Sequence, residues 1–358
     1  MQRLIFSLFA AAAFGLSPVA AVETAPMPSP APVRATVETT LATGGRQIRQ
    51  FAFDGSPDTY FGSDKNPGKD DHFTLVFDAP VDVRSVAVST GRVDGVDGLD
   101  AGALEISVDG KSFESAAKFA NGAAKTDLKG RKVRAVRIRP TDALTHPLAI
   151  DEITIESTPR VAVFRYPIEF VLDVTDAPEM KEWAEKTVRV CERQYPMICD
   201  ELMSDGFKPL TVIRMAFKSD YNGVAEAGGG RIRGSVKFFK AHPDDVGAMV
   251  HETAHCVQLY RFRGNPGWLV EGVADYIRFF KYEPGKIGKI NAERAKYDGS
   301  YRVSATFLNY VSEKYDKELV RKLNAVMRTG KYQETVWKDI TGKPLVELGQ
   351  EWRASLAK

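Results

Sequence analysis

The sequence predicts two folded domains of different class, an all-β sandwich followed by an α+β domain. Three observations carry this expectation. A chain of 358 residues with 44% hydrophobic and 27% charged residues has the material for about two cores. Between about Arg34 and Ser157 the apolar residues come in short alternating or β-branched runs without helical periodicity. From about Arg160 onward strands give way repeatedly to amphipathic runs at helical spacing.

Residues 1–21 carry Arg3, an apolar run from Leu4 to Leu16 and the small-residue end SPVAA, the layout of a signal peptide cleaved near Ala21. The expected location is therefore secreted or periplasmic. That run is short for a membrane span, so no membrane span is expected once the signal is removed. Residues 22–33, VETAPMPSPAPV, read as an extended proline-rich spacer. Residues 34–158 hold the sandwich strands HFTLVFDA, VRSVAVST, ALEISVDG, RKVRAVRIRP and LAIDEITIES, separated by DG, PGK and NG turns. A net charge of +2, from 49 basic and 47 acidic residues, gives no electrostatic footing for nucleic acid.

Residues 160–358 form the α+β part. FRYPIEFVLDV reads as a strand, and PEMKEWAEKTVRVCERQYPMICDELM as one helix or two, with Trp183, Val190 and Ile198 inward. LTVIRMAF is a second strand, and AEAGGGRIRGSVKFF a glycine-rich turn into a strand at the sheet edge. Helical runs follow near Ala305–Tyr315, Glu318–Met327 and Leu345–Leu356. Of three cysteines, Cys191 and Cys199 would sit about 12 Å apart on one unbroken helix, too far for a bridge. A break at Pro196 would let them close, and both outcomes stay open. Cys256 points away from the face that carries the histidines and reads as a core residue.

The chemistry concentrates in HETAHCVQLYRFRGNPGWLVEGVADY, residues 251–276. His251 and His255 lie one helical turn apart on one face, within reach of a single metal ion, with Glu252 beside them. Apolar residues at helical spacing in VGAMVHETAHCVQLY put the pair on a buried helix, where unpaired imidazoles would be costly. Glu271 opens a second helix after the break at Pro266 and Gly267. Two histidines and a glutamate leave one coordination position open, which suits a catalytic Zn²⁺ with Glu252 as general base. Asp275, one turn beyond Glu271, is placed to accept the free ring N–H of His251; an exposed carboxylate or a direct ligand are the alternatives.

WLVEGVADY after HETAH is similar to the glutamate zincins, such as thermolysin-like and aminopeptidase-type enzymes. HETAHCVQ, PGWLVEGVADYIR and YRVSATFLNYV together make residues 160–358 resemble the plant basic secretory protein family of secreted zinc peptidases. The resemblance implies a zincin fold with His251, His255 and Glu271 on the metal and Glu252 as base. It also implies an edge strand that pairs with extended substrate, here Arg231 to Phe238, with Arg231, Gly234 and Val236 as substrate-binding residues. Gly228 to Gly230 reads as its hinge or as a plain loop. Tyr301 is placed to steady an oxyanion, with a core tyrosine as the competing reading.

FDGSPDTYFGSD, LEISVDGKSF, VRAVRIRP and AIDEITIES make residues 34–158 resemble the discoidin, or coagulation factor type C, jelly-roll sandwiches, which include carbohydrate-binding modules. The resemblance implies candidate Ca²⁺ ligands at Asp54, Asp58 and Glu152, which otherwise read as solvated turn residues. Tyr60, Phe61 and His72 fall in loops that such modules use against sugars. DTYFGSD stands where the family often has a Trp, which leaves the ligand class open.

The functional expectation is a secreted zinc metallopeptidase acting on protein, peptide or glycoprotein, with a sandwich that holds it to a carbohydrate or surface. Two alternatives share the residues. One is a non-enzymatic carbohydrate-binding or adhesion protein on a zincin scaffold, against which the intact Glu252 argues. The other is a zinc amidase acting on cell-wall peptides or glycopeptides.

Overall fold

The structure, a computed structural model, describes residues 30–357; the expected signal segment and most of the spacer lie outside them. The first domain holds β1 (Ala35–Thr39), β2 (Phe61–Gly62), β3 (Phe73–Thr90), β4 (Gly102–Ser107), β5 (Glu114–Lys118), β6 (Ala123–Pro140) and β7 (Ala149–Thr158). The strands run antiparallel in the order β2-β7-β3-β6-β4-β5, with β1 on β3. β3 breaks register between Val76 and Val81 and again between Val83 and Ser85. Such bulges bend a strand, and here they let β3 pair with β1 through its first half and with β7 through its second. The enclosed core includes Phe53, Phe61, Phe73, Phe77, Val86 and Ile150. The result is the β-sandwich expected from the alternating runs.

The second domain is α+β. It contains β8 (Glu169–Asp173), α1 (Lys181–Glu201), β9 (Val212–Lys218), β10 (Ala225–Gly228), β11 (Arg231–Ser235), α2 (Val236–Ala241) and α3 (Gly247–Gln258). After these come α4 (Gly267–Tyr276), which runs on into a π-helical turn at Ile277–Tyr282, then α5 (Tyr301–Lys314), α6 (Leu319–Arg328), α7 (Thr335–Thr341) and α8 (Leu345–Ser355). α1 passes through Pro196 without a break, and Cys191, Cys199 and Cys256 are all free and buried. An internal proline costs about 3 kcal/mol. Burying Val188, Tyr195, Ile198 and both α1 cysteines along one face offsets that cost. Ile198 is buried as expected, while Trp183 and Val190 are half-buried against the core.

The sheet order β10-β11-β9-β8 corrects the expected edge strand. Arg231–Ser235 is interior, parallel to β9 on one side and antiparallel to β10 on the other. Gly229 and Gly230 have φ of 56° and 74°, so the chain turns back in a two-residue hairpin and β10 takes the edge. AEAG has weak β-propensity, which is why the strand is not legible in the sequence. β11 also ends earlier than expected, because the Ser235 hydroxyl accepts the Phe238 N–H and starts α2 at Val236.

The two domains meet through buried ion pairs. The Arg49 guanidinium lies 3.7 Å from Glu169 and hydrogen-bonds Glu192. Thr43 donates to Glu169 at 2.7 Å, and the Gln50 side chain accepts the Ile168 N–H at 2.9 Å. Arg193 binds Asp78 across the same junction. Removing one partner from a buried pair strands the other charge, at a cost of about 3 kcal/mol or more. Arg49→Ala is therefore expected to lower unfolding stability by about 3 kcal/mol in a denaturant titration; an unchanged midpoint would show that Glu169 and Glu192 do not need it.

Candidate metal centre and cleft

Helix α3 delivers its chemistry to one face because its other faces are packed. Met249, Val250, Ala254 and Val257 are buried in the core, which turns His251, Glu252 and His255 together toward α4. Gly267 opens α4 just after Pro266, and the helix brings Glu271 up to the two rings. The His251 Nε2 to His255 Nε2 distance is 3.0 Å, and Glu271 Oε2 lies 3.2 Å from the first and 3.4 Å from the second. Among the described residues this is the one group of three or more metal-ligating side chains whose donor atoms converge.

The remaining ring nitrogens decide what these atoms are. His251 Nδ1 is 2.6 Å from Asp275 Oδ1, and His255 Nδ1 is 2.7 Å from Gln258 Oε1. Both partners are acceptors, so each Nδ1 carries the proton and each Nε2 presents a lone pair. Two lone pairs and a carboxylate that face one another repel unless a cation or a proton lies between them. Ligands about 2.0–2.1 Å from a tetrahedral Zn²⁺ stand about 3.3–3.4 Å apart, close to the spacings found here. The donor set fits the ion.

Burial pushes the His251 pKa down, but Asp275 and Glu271 outweigh it and carry the value to about 9. Burial pushes Glu271 up, and the two histidines more than reverse this, to about 2. Glu252 behaves differently. Burial raises its carboxyl above the ordinary range against the pull of the histidines, and its Oε2 has no hydrogen-bond partner. A buried carboxylate oxygen with nothing to bind is a position kept for something that arrives.

These residues floor a cleft of about 1060 Å³ between β10 and α4. Tyr301 stands at its rim, 56% exposed, which sets aside the core-tyrosine reading. Its ring stacks 6.2 Å from that of His251, and Glu271 leads the charges that raise its hydroxyl pKa. Ser300 and Tyr301 both have positive φ, 66° and 47°, a conformation that costs residues with side chains about 1–3 kcal/mol. Asp275 is neither an exposed carboxylate nor aimed at Nε2; it is buried against Nδ1 of His251.

The family described as peptidase of plants and bacteria matches residues 169–352, just over half of the chain. The chain belongs to this BSP family. No curated protein matches the sequence significantly. Among solved structures, a family 32 carbohydrate-binding module of a Clostridium perfringens glycoside hydrolase is similar at 16% identity. It covers 34% of this chain and 92% of its own, with a TM-score of 0.30. A Streptococcus pneumoniae fucose-binding module is similar at 15% identity over 34% of this chain and 92% of its own, with a TM-score of 0.30.

Within the BSP domain, Arg231, Gly234 and Val236 are not brought into the cleft, which corrects their assignment as substrate-binding residues. Arg231 lies on the opposite, exposed face of the sheet. Gly234 is enclosed by the rings of Phe217 and Phe239, and Val236 is buried. β10 lines the cleft instead. Val224 accepts the Ser235 N–H at 3.0 Å and Gly228 closes the hairpin on Arg231, so alternation leaves the backbone groups of Ala225 and Ala227 on the free edge. Gln258 was missed as the partner of His255, although its position three residues on, on the same helix face, is visible in the sequence. Its amide also donates to Val270 O at 3.0 Å, tying α3 to α4.

In the sandwich the three candidate Ca²⁺ ligands do not converge. Asp54 accepts from Ser56 N and Thr59 Oγ1 at 3.0 Å, and Glu152 accepts from Gly55 N at 3.2 Å. Asp58 points to solvent, held by its turn and not by the pair. Phe61 is fully buried against Phe73 and presents no sugar-stacking face, and Tyr60 and His72 are half-buried. Burial first, and the Asp54 charge second, push Glu152 up to about 7.

Loss of a ligand and loss of its orienting partner should differ in degree. Glu271→Ala is expected to dialyse free of zinc, whereas Asp275→Asn and Gln258→Ala are expected to weaken zinc binding about 10–100-fold, read by competition with a chromogenic chelator. Wild-type affinity in Asp275→Asn would end its positioning role. For Glu152 the folded pKa is raised, so its share of stability is present below about pH 4.5 and lost as pH rises through about 7. In cation-free buffer the melting temperature of the protein should therefore fall from pH 5 to 8 more than that of Glu152→Gln. Added Ca²⁺ closes the gap only if Asp54 and Glu152 bind it.

Proposed function

We propose that this protein is an exported zinc peptidase that hydrolyses extended peptide segments laid along the free edge of β10. The observation that carries the reading is the convergence of His251, His255 and Glu271 beside the unpartnered Glu252 carboxylate, in a cleft bordered by unpaired backbone groups. Zinc held by these three side chains would lower the pKa of a water molecule and polarise the scissile carbonyl.

The chain's own groups do the rest. Ala225 and Ala227 offer backbone N–H and C=O groups that fix an added strand in register, with its carbonyl over the histidines. Glu252 takes the proton of the attacking water at its free Oε2 and returns it to the leaving amine, a task for which its raised pKa suits it. The Tyr301 hydroxyl, protonated at neutral pH, donates to the oxygen that gains charge. Asp275 and Gln258 hold the rings in one tautomer throughout. The sandwich domain, by its sequence resemblance to discoidin modules, holds the enzyme to a glycan or a surface, and the signal-like residues 1–21 direct export.

Glu252→Gln is expected to keep its zinc and lose about 10²–10⁴-fold in turnover on unfolded protein substrates, with new termini read by mass spectrometry. A chelator should abolish wild-type cleavage. Undiminished cleavage by Glu252→Gln would reject the base. Absence of any cleavage by zinc-loaded protein would leave the scaffold reading in its place.

A further inference from the structure

β10 borders two grooves. Ala225 and Ala227 are half-buried on the side of the metal cleft, whereas Glu226 and Gly228 are exposed on the other face of the sheet, where they border both that cleft and a second groove of about 850 Å³. The strand pairings place Gly228, Arg231, Arg214 and Val171 in one row across that face, each residue the direct partner of the next. Arg231 and Arg214 are thus cross-strand neighbours of like charge, an arrangement that is disfavoured. Neither has an ion pair or a side-chain hydrogen bond among the described residues. The next row is neutral by contrast: Arg233 holds Glu226 at 2.6 Å, and Asp173 is met by Lys218 at 3.2 Å. A Cβ placed on Gly228 would meet nothing within 4 Å, so the space between the β10 edge and Arg231 is open.

A substrate strand added to β10 has its side chains alternating between the two grooves. The residue opposite Ala227 points to the metal, and the residue opposite Gly228 points to the exposed face. Its backbone would lie about 10 Å from that of β11, two strand spacings away. An arginine and a glutamate reaching toward each other across a glycine span that gap. We infer that the protein selects substrates with an acidic side chain at the position opposite Gly228, with Arg231 as the specificity-determining residue and Arg214 reinforcing its charge. The inference rests on the proposed strand addition at β10.

The test uses peptides of one extended sequence that carry Glu, Gln or Lys at one position at a time. Two readouts are taken: kcat/KM with the zinc-loaded enzyme, and Kd by fluorescence anisotropy with Glu252→Gln, which needs no turnover. At low salt, Glu should be favoured over Gln by about fivefold in Kd, at positions of one parity only, and the ratio should shrink as salt rises. Arg231→Gln should bring the ratio to one, Arg231→Lys should restore it, and Arg231→Glu should favour the Lys peptide, each in protein whose melting temperature shows it folded. Equal Kd for all three peptides at every position, or a preference that survives Arg231→Gln, overturns the inference. If Kd discriminates while no peptide is cleaved, the peptidase reading fails and the selectivity stands. If cleavage occurs without discrimination, the selectivity fails alone.

Discussion

The interaction on which the site depends is the pairing of each imidazole Nδ1 with a buried oxygen acceptor, Asp275 for His251 and Gln258 for His255. A histidine free to exchange tautomers presents a donor as often as a lone pair, and a ring free to rotate presents neither in a fixed place. Because both acceptors are themselves held, Asp275 by burial in α4 and Gln258 by Val270 O, two helices must be docked before the donors can converge. The convergence of the three donors is therefore a consequence of the α3 and α4 packing. Helix α3 has its own brace, since the Arg328 guanidinium donates to the carbonyls of Val257 and Gln258 at its C-terminal end.

The same domain solves a different problem with its sheet. A free strand edge is a liability in most proteins, and β10 is short, which limits it. Here the edge runs along the floor that carries Glu252, so unpaired backbone groups and an unpartnered carboxylate share one cleft. The cleft mixes apolar side chains such as Leu210, Phe238, Leu259 and Phe279 with its polar floor. The exposed sheet face behind β10, with its uncompensated arginines, lies next to where the sandwich domain docks: Glu169 begins β8 on that same face and is covered by Thr43 and Arg49. The junction is polar and buried, a combination that holds only while all its partners are present.

The parts of the fold legible in the sequence are those with strong periodicity. The long β3, β6 and β7 runs and the helices α1, α3, α5, α6 and α8 all follow apolar spacing. Other elements escaped, among them the short strands β1, β2 and β5, β10 built from AEAG, and the short helices α2 and α7. Pro196 is the opposite case, a strong local signal for a break that core burial overrode. Gln258 shows the same limit for the site, because an amide three residues beyond a histidine becomes a partner only when its other end has somewhere to bind.

Sequence alone determined that His251 and His255 share a face, since spacing on one helix fixes which side chains lie together before any folding occurs. It also determined the two-domain order, because periodicity is a local property of the chain. Tertiary structure decided which strand owns the free edge, that Glu152 reaches the Asp54 loop at the Gly55 N–H while Asp58 is exposed, and that Arg231 faces away from the donor cluster. Each of these depends on how chain segments far apart in sequence, or joined by a hairpin whose direction two glycines set, come to lie beside one another. Such adjacency is written in the packing of the whole domain and in no single segment of it.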